Sequence, residues 1–352
     1  MADTREHLAL TFRLQGAGCR HGGSEFYGDL CEELARNAEA GGPVIAAMGE
    51  FADAPFGPAY HLRLMGGLHL MALSGEVPEL RAHYPSTGGD GDAQAAWRII
   101  EPILRARPPA LDDALHRPLQ TNEAGRAAPL ASGMAVVAAR AGGGMPLRLL
   151  EIGSSAGLNL RLDRYWYQAD GRGWGERTSP VQFVDVWDDG EPPFDSQVAV
   201  ASRRGCDIAP IDITRPGADL RLLSFVWPGQ TDRFERLEAA LAIARDMPVD
   251  IDAQPVTTWL PEQLATTVPG ATTIVFHSVM WQYLSDPDRV TVERVLSEAG
   301  ARATRDAPLA WVRLEPPPRI THNELRLTMW PDGDEVLLAT AGFHASRIKW
   351  RV

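Results

Sequence analysis

The feature that most constrains the fold of this chain is a change of sequence pattern near residue 145. From there on, short continuous apolar runs alternate with stretches of helical periodicity, and a final pair of runs is separated by the turn 331–334. Strands that are apolar on both faces are typical of parallel sheets, and two runs joined by a tight polar turn predict a hairpin. The predicted strands are 146–152, 197–201, 249–251, 273–276, 309–314, 325–330 and 335–341, with helices at 230–245, 260–267 and 288–299. The sequence therefore predicts an α/β domain with a doubly wound sheet and an antiparallel C-terminal hairpin.

The first 145 residues have a different character. Apolar residues recur there at intervals of three and four, which is the period of an amphipathic helix. The chain has 352 residues, and a single hydrophobic core stops growing at roughly 250–300 residues. We therefore expect two domains, an all-helical lobe or cap at 1–145 and the sheet domain at 146–352.

Composition excludes several functional classes. The chain carries 34 basic and 46 acidic residues, a net charge of −12, so nucleic acid is an unfavourable partner. Lys349 is the only lysine, so the chain has no P-loop and no suitably placed lysine for Schiff-base chemistry. Three cysteines and nine scattered histidines show no metal-ligand spacing. Without a leader or an apolar run of 18 residues, we expect a cytoplasmic protein with a small-molecule substrate, no membrane span and no bound metal; the oligomeric state stays open.

One glycine-rich string follows the first predicted strand and precedes a predicted helix. It reads Leu-Leu-Glu151-Ile-Gly153-Ser-Ser-Ala-Gly157-Leu-Asn159. Glycines there allow a tight turn and close approach of a ligand to the backbone. The string resembles motif I of class I S-adenosylmethionine-dependent methyltransferases, with Ser155 in place of the middle glycine. This resemblance implies a Rossmann-like domain with S-adenosylmethionine as cofactor, held by Glu151, Gly153, Ser154, Ser155, Gly157 and Asn159.

Acidic residues downstream extend the resemblance to the methyltransferases. Asp207 ends a segment similar to the second strand of that family, whose acid binds the ribose hydroxyls of the cofactor. Asp170 is a rival for that role, because the assignment to Asp207 requires an insertion from 165 to 196. Asp252 and Ala253 follow the third predicted strand, like the pair that contacts the adenine amino group. The resemblance covers the chain from about residue 147 onwards.

Other polar residues are candidates for catalysis and for substrate binding. His277 ends the fourth predicted strand, where a neutral imidazole could act as a base or orienting group. Trp281 and Tyr283 follow it and could stack on a ring or simply pack. Glu123 and Arg126 could face a cleft; alternatively, Thr121 or Asn122 caps a helix and Glu123 lies near its positive end. The candidate catalytic residues are thus His277, Tyr283 and Glu123, and the candidate substrate contacts are Asn122, Arg126, Gln230, Arg233 and Trp281.

A narrower resemblance covers nearly the whole chain. Four strings carry it: Leu119-Gln-Thr-Asn-Glu-x-x-Arg126, Gly153-Ser-Ser-Ala-Gly-Leu-Asn159, Val226-Trp-Pro-x-Gln-x-x-Arg233 and His277-Ser-x-x-Trp-Gln-Tyr-Leu284. They are similar to an uncharacterised bacterial family, domain of unknown function 2332. That resemblance implies a helical N-terminal part on a methyltransferase-like domain and no established activity.

Two other functions remain open at this point. Residues 153–157 also satisfy G-x-S-x-G, the nucleophile elbow of α/β-hydrolases, with Ser155 as nucleophile. Its acid would be Asp252 or Asp286 and its base His322 or His344, although such an elbow normally follows several strands rather than a helical lobe. The third possibility is a catalytically silent nucleotide-binding fold.

Overall fold

The computed structural model describes residues 2–55, 59–142, 144–196, 198–318, 322–344 and 347–352. Its α-helices within these ranges are α1 (Ala2–His21), α2 (Glu25–Glu39), α3 (Pro43–Met48), α4 (Tyr60–Ser74), α5 (Pro78–Arg81), α6 (Ala93–Ala106), α7 (Pro109–His116), α8 (Ala127–Arg140), α9 (Ala218–Leu223), α10 (Thr231–Asp246), α11 (Val256–Gln263) and α12 (Asp286–Gly300). Its strands are β1 (Leu147–Ile152), β2 (Trp166–Ala169), β3 (Arg172–Gly175), β4 (Gln182–Val184), β5 (Trp187–Asp189), β6 (Val200–Asp207), β7 (Asp250–Ala253), β8 (Thr272–Ser278), β9 (Leu309–Glu315), β10 (Asn323–Trp330), β11 (Glu335–Ala341) and β12 (Ile348–Trp350). None of the helices in these ranges is long and apolar enough to cross a membrane.

The chain divides into two compact units. One unit comprises Met1–Thr121 and Thr214–Glu238, and the other comprises Asn122–Ile213 and Ala239–Val352. We call them the helical unit and the sheet unit. This division differs from the boundary expected at residue 145. Helix α8 precedes that residue, yet it belongs to the sheet unit because it packs on β9 and β10 with nearly all its residues buried.

The helical unit is built from α1 to α7 together with α9 and the start of α10. The helical periodicity read from the sequence produces one contiguous core, to which α1, α2, α4 and α6 all contribute buried side chains. Segment 214–238 joins this unit directly: the Ser24 hydroxyl donates to the Pro228 carbonyl (2.5 Å), and Gln230 Nε2 donates to the Gly22 carbonyl (2.6 Å).

The sheet unit contains a nine-stranded sheet of order β5-β12-β11-β10-β9-β8-β1-β6-β7. Its five strands β7, β6, β1, β8 and β9 are mutually parallel, and in chain order they are arranged 3-2-1-4-5. This is the order of a Rossmann-like fold, in which the connections change side next to the first strand and ligands bind beyond the carboxyl ends there. The predicted α/β class is confirmed, and β10 and β11 form the predicted antiparallel hairpin.

Individual strands differ from the predicted runs. The second strand begins at Val200 rather than at residue 197, which lies outside the described residues, and it extends to Asp207. Its first five residues are exposed or half-buried, and only Gly205 and Cys206 are buried. The central strand β8, in contrast, is buried along its whole length.

The insertion between β1 and β6 forms a small second sheet of order β3-β2-β4. Its interior is aromatic: the ring of Tyr167 stacks on those of Trp174 (centroids 5.2 Å apart) and Phe183 (5.3 Å), and Phe194 completes the cluster. The insertion therefore has an apolar core of its own.

Candidate functional site

The glycine-rich turn leaves β1 at the carboxyl edge of the sheet, between β6 and β8. The N–H groups of Gly153 and Ser154 both donate to the Cys206 carbonyl, at 2.9 and 3.0 Å, which holds the start of the turn against β6. Gly153, Ser155 and Gly157 have φ angles of 69°, 52° and 68°. Ser155 thus adopts the left-handed conformation that favours glycine, at a cost of about 1–2 kcal/mol. The turn keeps the backbone shape of a glycine-rich loop although its middle residue is serine.

Asp207 lies directly beside this turn. Its Oδ2 accepts the backbone N–H of Ser155 at 2.9 Å, and its Oδ1 accepts that of Ala209 at 2.8 Å. The rival acid, Asp170, lies in the turn between β2 and β3 of the small sheet. Of the two acids, Asp207 is therefore the one that ends a strand adjacent to β1.

Two further side chains fix the far end of the turn. Asn122 Oδ1 accepts the Leu158 N–H at 3.0 Å. The guanidinium of Arg161 is buried and donates to the carbonyls of Ala156 (3.2 Å) and Gly157 (2.7 Å), as well as to Met247 (2.7 Å) on a later segment. Sequence reasoning singled out Asn122 but not Arg161, because nothing in the local sequence distinguishes this arginine from its neighbours.

Glu151 is a buried acid beneath the turn. Only 2% of its surface is exposed, and burial raises its pKa well above the usual range; the charge of Asp207 acts in the same direction, while Asn159, Arg161 and Arg126 oppose it. Glu151 Oε2, Ser155 Oγ and Asn159 Oδ1 are buried atoms without a hydrogen-bond partner among the described residues. Buried polar atoms of native proteins are almost always paired, so three such oxygens within nine residues mark this turn as a place that lacks donors.

His277 lies at the end of β8 with no exposed surface. Its Nε2 accepts the Trp311 indole N–H at 3.1 Å, so the ring proton is on Nδ1, which donates to Glu315 Oε1 at 2.6 Å. The Trp281 ring stacks on the imidazole, with centroids 5.3 Å apart and planes inclined by 14°. Because both ring nitrogens have protein partners, the arrangement suits an orienting role better than that of a base.

Glu315 organises the loop that follows β8. Besides His277, its carboxylate accepts the backbone N–H groups of Met280 (3.1 Å) and Trp281 (3.3 Å). The loop begins with Val279 at a φ of 51°, a conformation that a β-branched residue rarely adopts. Met280 then covers the first turn glycine, since a Cβ placed on Gly153 would lie 3.0 Å from the Met280 Cβ. Sequence reasoning missed Glu315, which lies 38 residues beyond His277.

Asp252 is engaged in an ion pair near the end of β7. Its carboxylate accepts two bonds from Arg204, at 2.6 and 2.8 Å, and a third from the Trp259 indole at 2.6 Å. The Arg204 guanidinium lowers the pKa of Asp252. Ala253 ends the same strand. The structure thus brings the Asp252 carboxylate to Arg204, across the β6–β7 pair.

The cluster at 122–126 performs local structural tasks. Glu123 is the N-cap of the 3₁₀ helix Ala124–Arg126, because its Oε1 accepts the Gly125 N–H at 2.9 Å, whereas the sequence suggested Thr121 or Asn122 as the cap. Glu123 Oε2 lies 3.5 Å from His344 Nδ1. Arg126 Nη1 donates to the Ser278 carbonyl at 3.2 Å, at the end of β8. Arg126 therefore lies at the carboxyl edge of the sheet, as a contact to a ligand there would require.

The remaining predicted residues are distributed over both units. Gln230 and Arg233 belong to the helical unit, where the Arg233 guanidinium donates to the Gln230 amide oxygen. Tyr283 lies in the loop after β8 and is 68% exposed, and Ile208, which follows Asp207 at the end of β6, is 77% exposed. These two exposed apolar side chains follow strands on either side of β1.

The hydrolase arrangement does not form in the part of the chain that the structure describes. The Ser155 hydroxyl has no hydrogen-bond partner there, whereas His322 lies 3.7 Å from Glu324 and His344 lies near Glu123. The segment after the turn is a 3₁₀ helix, Asn159–Arg164, rather than the α-helix that follows a nucleophile elbow. Within the same ranges no group of three His, Cys, Asp or Glu side chains could hold a metal ion.

Fold and site together define a Rossmann-like α/β protein with a helical N-terminal region and a glycine-rich turn at the carboxyl edge of its sheet. Residues 9–350 match the family model described as "Uncharacterized protein conserved in bacteria (DUF2332)", and the chain belongs to this family. A search of curated proteins gave no match.

Proposed function

We propose that this protein binds S-adenosylmethionine at the turn after β1 and transfers its methyl group to a small molecule. The observation that carries the proposal is the set of three buried, partnerless oxygen atoms on Glu151, Ser155 and Asn159, counted over the described residues. They lie on a turn with left-handed backbone at the edge where Rossmann-like folds bind ligands.

The chemistry of these oxygens favours a cationic ligand. Burial raises the pKa of Glu151, so its carboxyl group ionises there only when a positive charge or several donors compensate the lost solvation. S-adenosylmethionine carries an ammonium and a sulfonium group, and when bound it supplies an electrophilic methyl group. The ammonium hydrogens match the missing donors, so Glu151 would hold this end of the cofactor, with Ser155 and Asn159 beside it.

The neighbouring strand ends supply the other contacts in this proposal. Asp207 would bind the sugar hydroxyls, and the exposed Ile208 next to it offers an apolar surface for the base. Tyr283, equally exposed beyond β8, would face the methyl acceptor, and Arg126 at the end of β8 would bind a polar group on it. His277 would orient this loop through Glu315 rather than remove a proton itself.

In this proposal the side chain of Met280 must move when the ligand binds. Its Cγ and Cε atoms cover Gly153, and a change of rotamer, which costs little for methionine, would move them while Cβ stays in place with the backbone. A ligand would displace it from the glycine while Glu315 retains the backbone of the loop.

Calorimetric titration with S-adenosylmethionine and S-adenosylhomocysteine tests the proposal. We expect both to bind, and we expect Glu151→Gln and Asp207→Asn to weaken binding at least tenfold. Asp170→Asn is the matched control, because it changes the rival acid in the small sheet and should leave affinity unchanged. If neither ligand binds, the proposal is refuted. If Asp170→Asn loses binding and Asp207→Asn does not, Asp170 is the residue that contacts the sugar. Transfer of a labelled methyl group to a metabolite panel then separates an enzyme from a silent binding fold.

A further inference from the structure

A second group of reactive side chains lies in the helical unit. His69, on α4, is completely buried. One ring nitrogen, Nδ1, lies 2.9 Å from the Ser224 carbonyl oxygen, and the other, Nε2, lies 2.6 Å from the Ser86 hydroxyl. All three residues belong to the helical unit.

The partners of His69 determine its tautomer. A carbonyl oxygen can only accept a hydrogen bond, so Nδ1 must carry the ring proton and Nε2 must carry the lone pair. The Ser86 hydroxyl therefore donates its proton to Nε2. Burial lowers the pKa of His69 to about 4, so the ring is neutral at physiological pH and its Nε2 lone pair accepts the hydrogen bond of Ser86.

Two aromatic rings pack against the imidazole of His69, in addition to the hydrogen bonds of its two nitrogens. The ring of Tyr84 stacks on it, with centroids 5.1 Å apart and planes inclined by 19°, and Tyr27 meets it edge-on at 6.3 Å. A serine bonded to a histidine that a third group orients is the geometry of an activated nucleophile. Here the third group, which orients the histidine, is the main-chain carbonyl of Ser224.

Solvent reaches the segment that carries the serine. Ser86 lies in the short 3₁₀ helix Pro85–Thr87 and is only half-buried, in contrast to His69. Two residues further on, Gly88 is exposed, and a Cβ placed on it would meet no atom within 4 Å. The Ser86 end of the Ser86–His69 pair is therefore only partly buried, and its segment borders on solvent.

We infer that Ser86 is a nucleophile for acyl transfer from small esters, with His69 as its base. In the first step Ser86 Oγ bonds to the ester carbonyl carbon as its proton passes to His69 Nε2. The ester C–O bond then breaks, and the imidazolium returns the proton to the departing alcohol. Water attacks the acyl-serine in the same way and releases the carboxylic acid, which restores the hydroxyl and the neutral ring. This activity is independent of methyl transfer.

Labelling of the intact protein with a fluorophosphonate, followed by peptide mass spectrometry, tests the inference. We expect one adduct, on Ser86, that is absent in Ser86→Ala and unchanged in Ser74→Ala. Ser74 is a suitable control because it lies on the same helix as His69, and its hydroxyl bonds to the Met71 carbonyl and the Glu76 N–H rather than to a histidine. No adduct on the folded protein, or an adduct on Ser155 instead, would overturn the inference.

A cysteine variant provides a second readout that leaves His69 in the core. In Ser86→Cys, the neighbouring imidazole should promote thiolate formation, so iodoacetamide should alkylate this thiol at least tenfold faster at pH 6.5 than the thiol of Ser74→Cys. The three native cysteines are buried and give a low background. Equal rates in the two variants would show that His69 does not activate position 86.

Discussion

Glu315 Oε1 lies 2.6 Å from His277 Nδ1, and the same carboxylate accepts the main-chain N–H groups of Met280 and Trp281. One side chain at the end of β9 thereby connects the end of β8 with the loop beyond it. The loop that bears the exposed Tyr283 is positioned by this carboxylate, so Glu315 should matter for stability as well as for any chemistry at this edge.

Replacing this carboxylate tests that connection. In Glu315→Gln, the amide NH₂ must face either the His277 N–H or a main-chain N–H, so at least one buried donor loses its acceptor. We expect the free energy of unfolding to fall by about 1–3 kcal/mol, measured by urea denaturation. Glu298→Gln, at a half-exposed surface ion pair, is the control and should change it by less than about 0.5 kcal/mol. Equal effects would show that the Glu315 bonds contribute nothing specific.

The left-handed backbone at Ser155 yields a second prediction. Ser155→Ala keeps the strained φ of 52° and removes only the hydroxyl, whereas Ser155→Gly removes the strain. We expect the glycine variant to be about 1 kcal/mol more stable than the alanine variant in thermal or urea unfolding. The opposite order would mean that the turn relaxes out of this conformation. The comparison is valid whether or not a ligand binds there.

The close approach of β6 to the turn predicts a contrast between two glycines. A Cβ on Gly205 would lie 2.0 Å from Ser154 Oγ and 2.9 Å from its Cβ, so Gly205→Ala should displace the turn and destabilise the protein by more than about 2 kcal/mol. Gly18 on α1 is a matched control, because a Cβ there meets open space and alanine favours the helix by about 0.5–1 kcal/mol. Circular dichroism during heating measures both. A well-tolerated Gly205→Ala would contradict the packing described here.

Two buried histidines make the stability of the helical unit dependent on pH. Burial lowers the pKa of both His61 and His69 to about 4, below the value near 6.5 expected in the unfolded chain. Above pH 6.5 both states are neutral and stability is complete; as the pH falls through 6.5 towards 4, only the unfolded chain takes up protons, and stability is lost. At pH 5 the loss is about 2 kcal/mol for each histidine.

Urea denaturation at pH 7.5, 6 and 5 checks this dependence. The matched variant His61→Gln lacks one of the two groups, so its loss between pH 7.5 and 5 should be about 2 kcal/mol smaller than that of the parent protein. Glu151 acts in the opposite direction in both proteins, because its raised pKa destabilises the folded state as the pH rises and restores stability as the pH falls. The comparison therefore isolates His61, and an equal change with pH in the two proteins would contradict neutral burial of this histidine.

The sequence allowed the α/β class, the hairpin and the position of the glycine turn to be predicted, because each depends on local periodicity or on glycine conformation. It also placed Asp207 at a strand end, where it meets the Ser155 N–H. The partners of His277 could not be read in the same way: Trp311 and Glu315 reach it from the next strand, and only the β8–β9 register brings them there. The pairing of Asp252 with Arg204 likewise depends on the β6–β7 register.

The division of the chain was less predictable for a related reason. Within the segment 214–238 the sequence predicted a helix only from residue 230, and nothing in that pattern assigned the segment to the helical unit rather than to the sheet unit. Its membership in the helical unit rests on individual contacts such as that between Pro228 and Ser24. Contacts of this kind are set by packing between distant parts of the chain.

The interleaving of the two units has a consequence for how the protein is made. The carbonyl that holds His69 comes from Ser224, so the N-terminal helices lack that acceptor until more than a hundred further residues have left the ribosome. His69 on nascent α4 therefore cannot form this hydrogen bond until the later segment has been synthesised. Because the helical unit consists of two separate stretches of sequence, dividing the chain at any single point cannot yield both units intact.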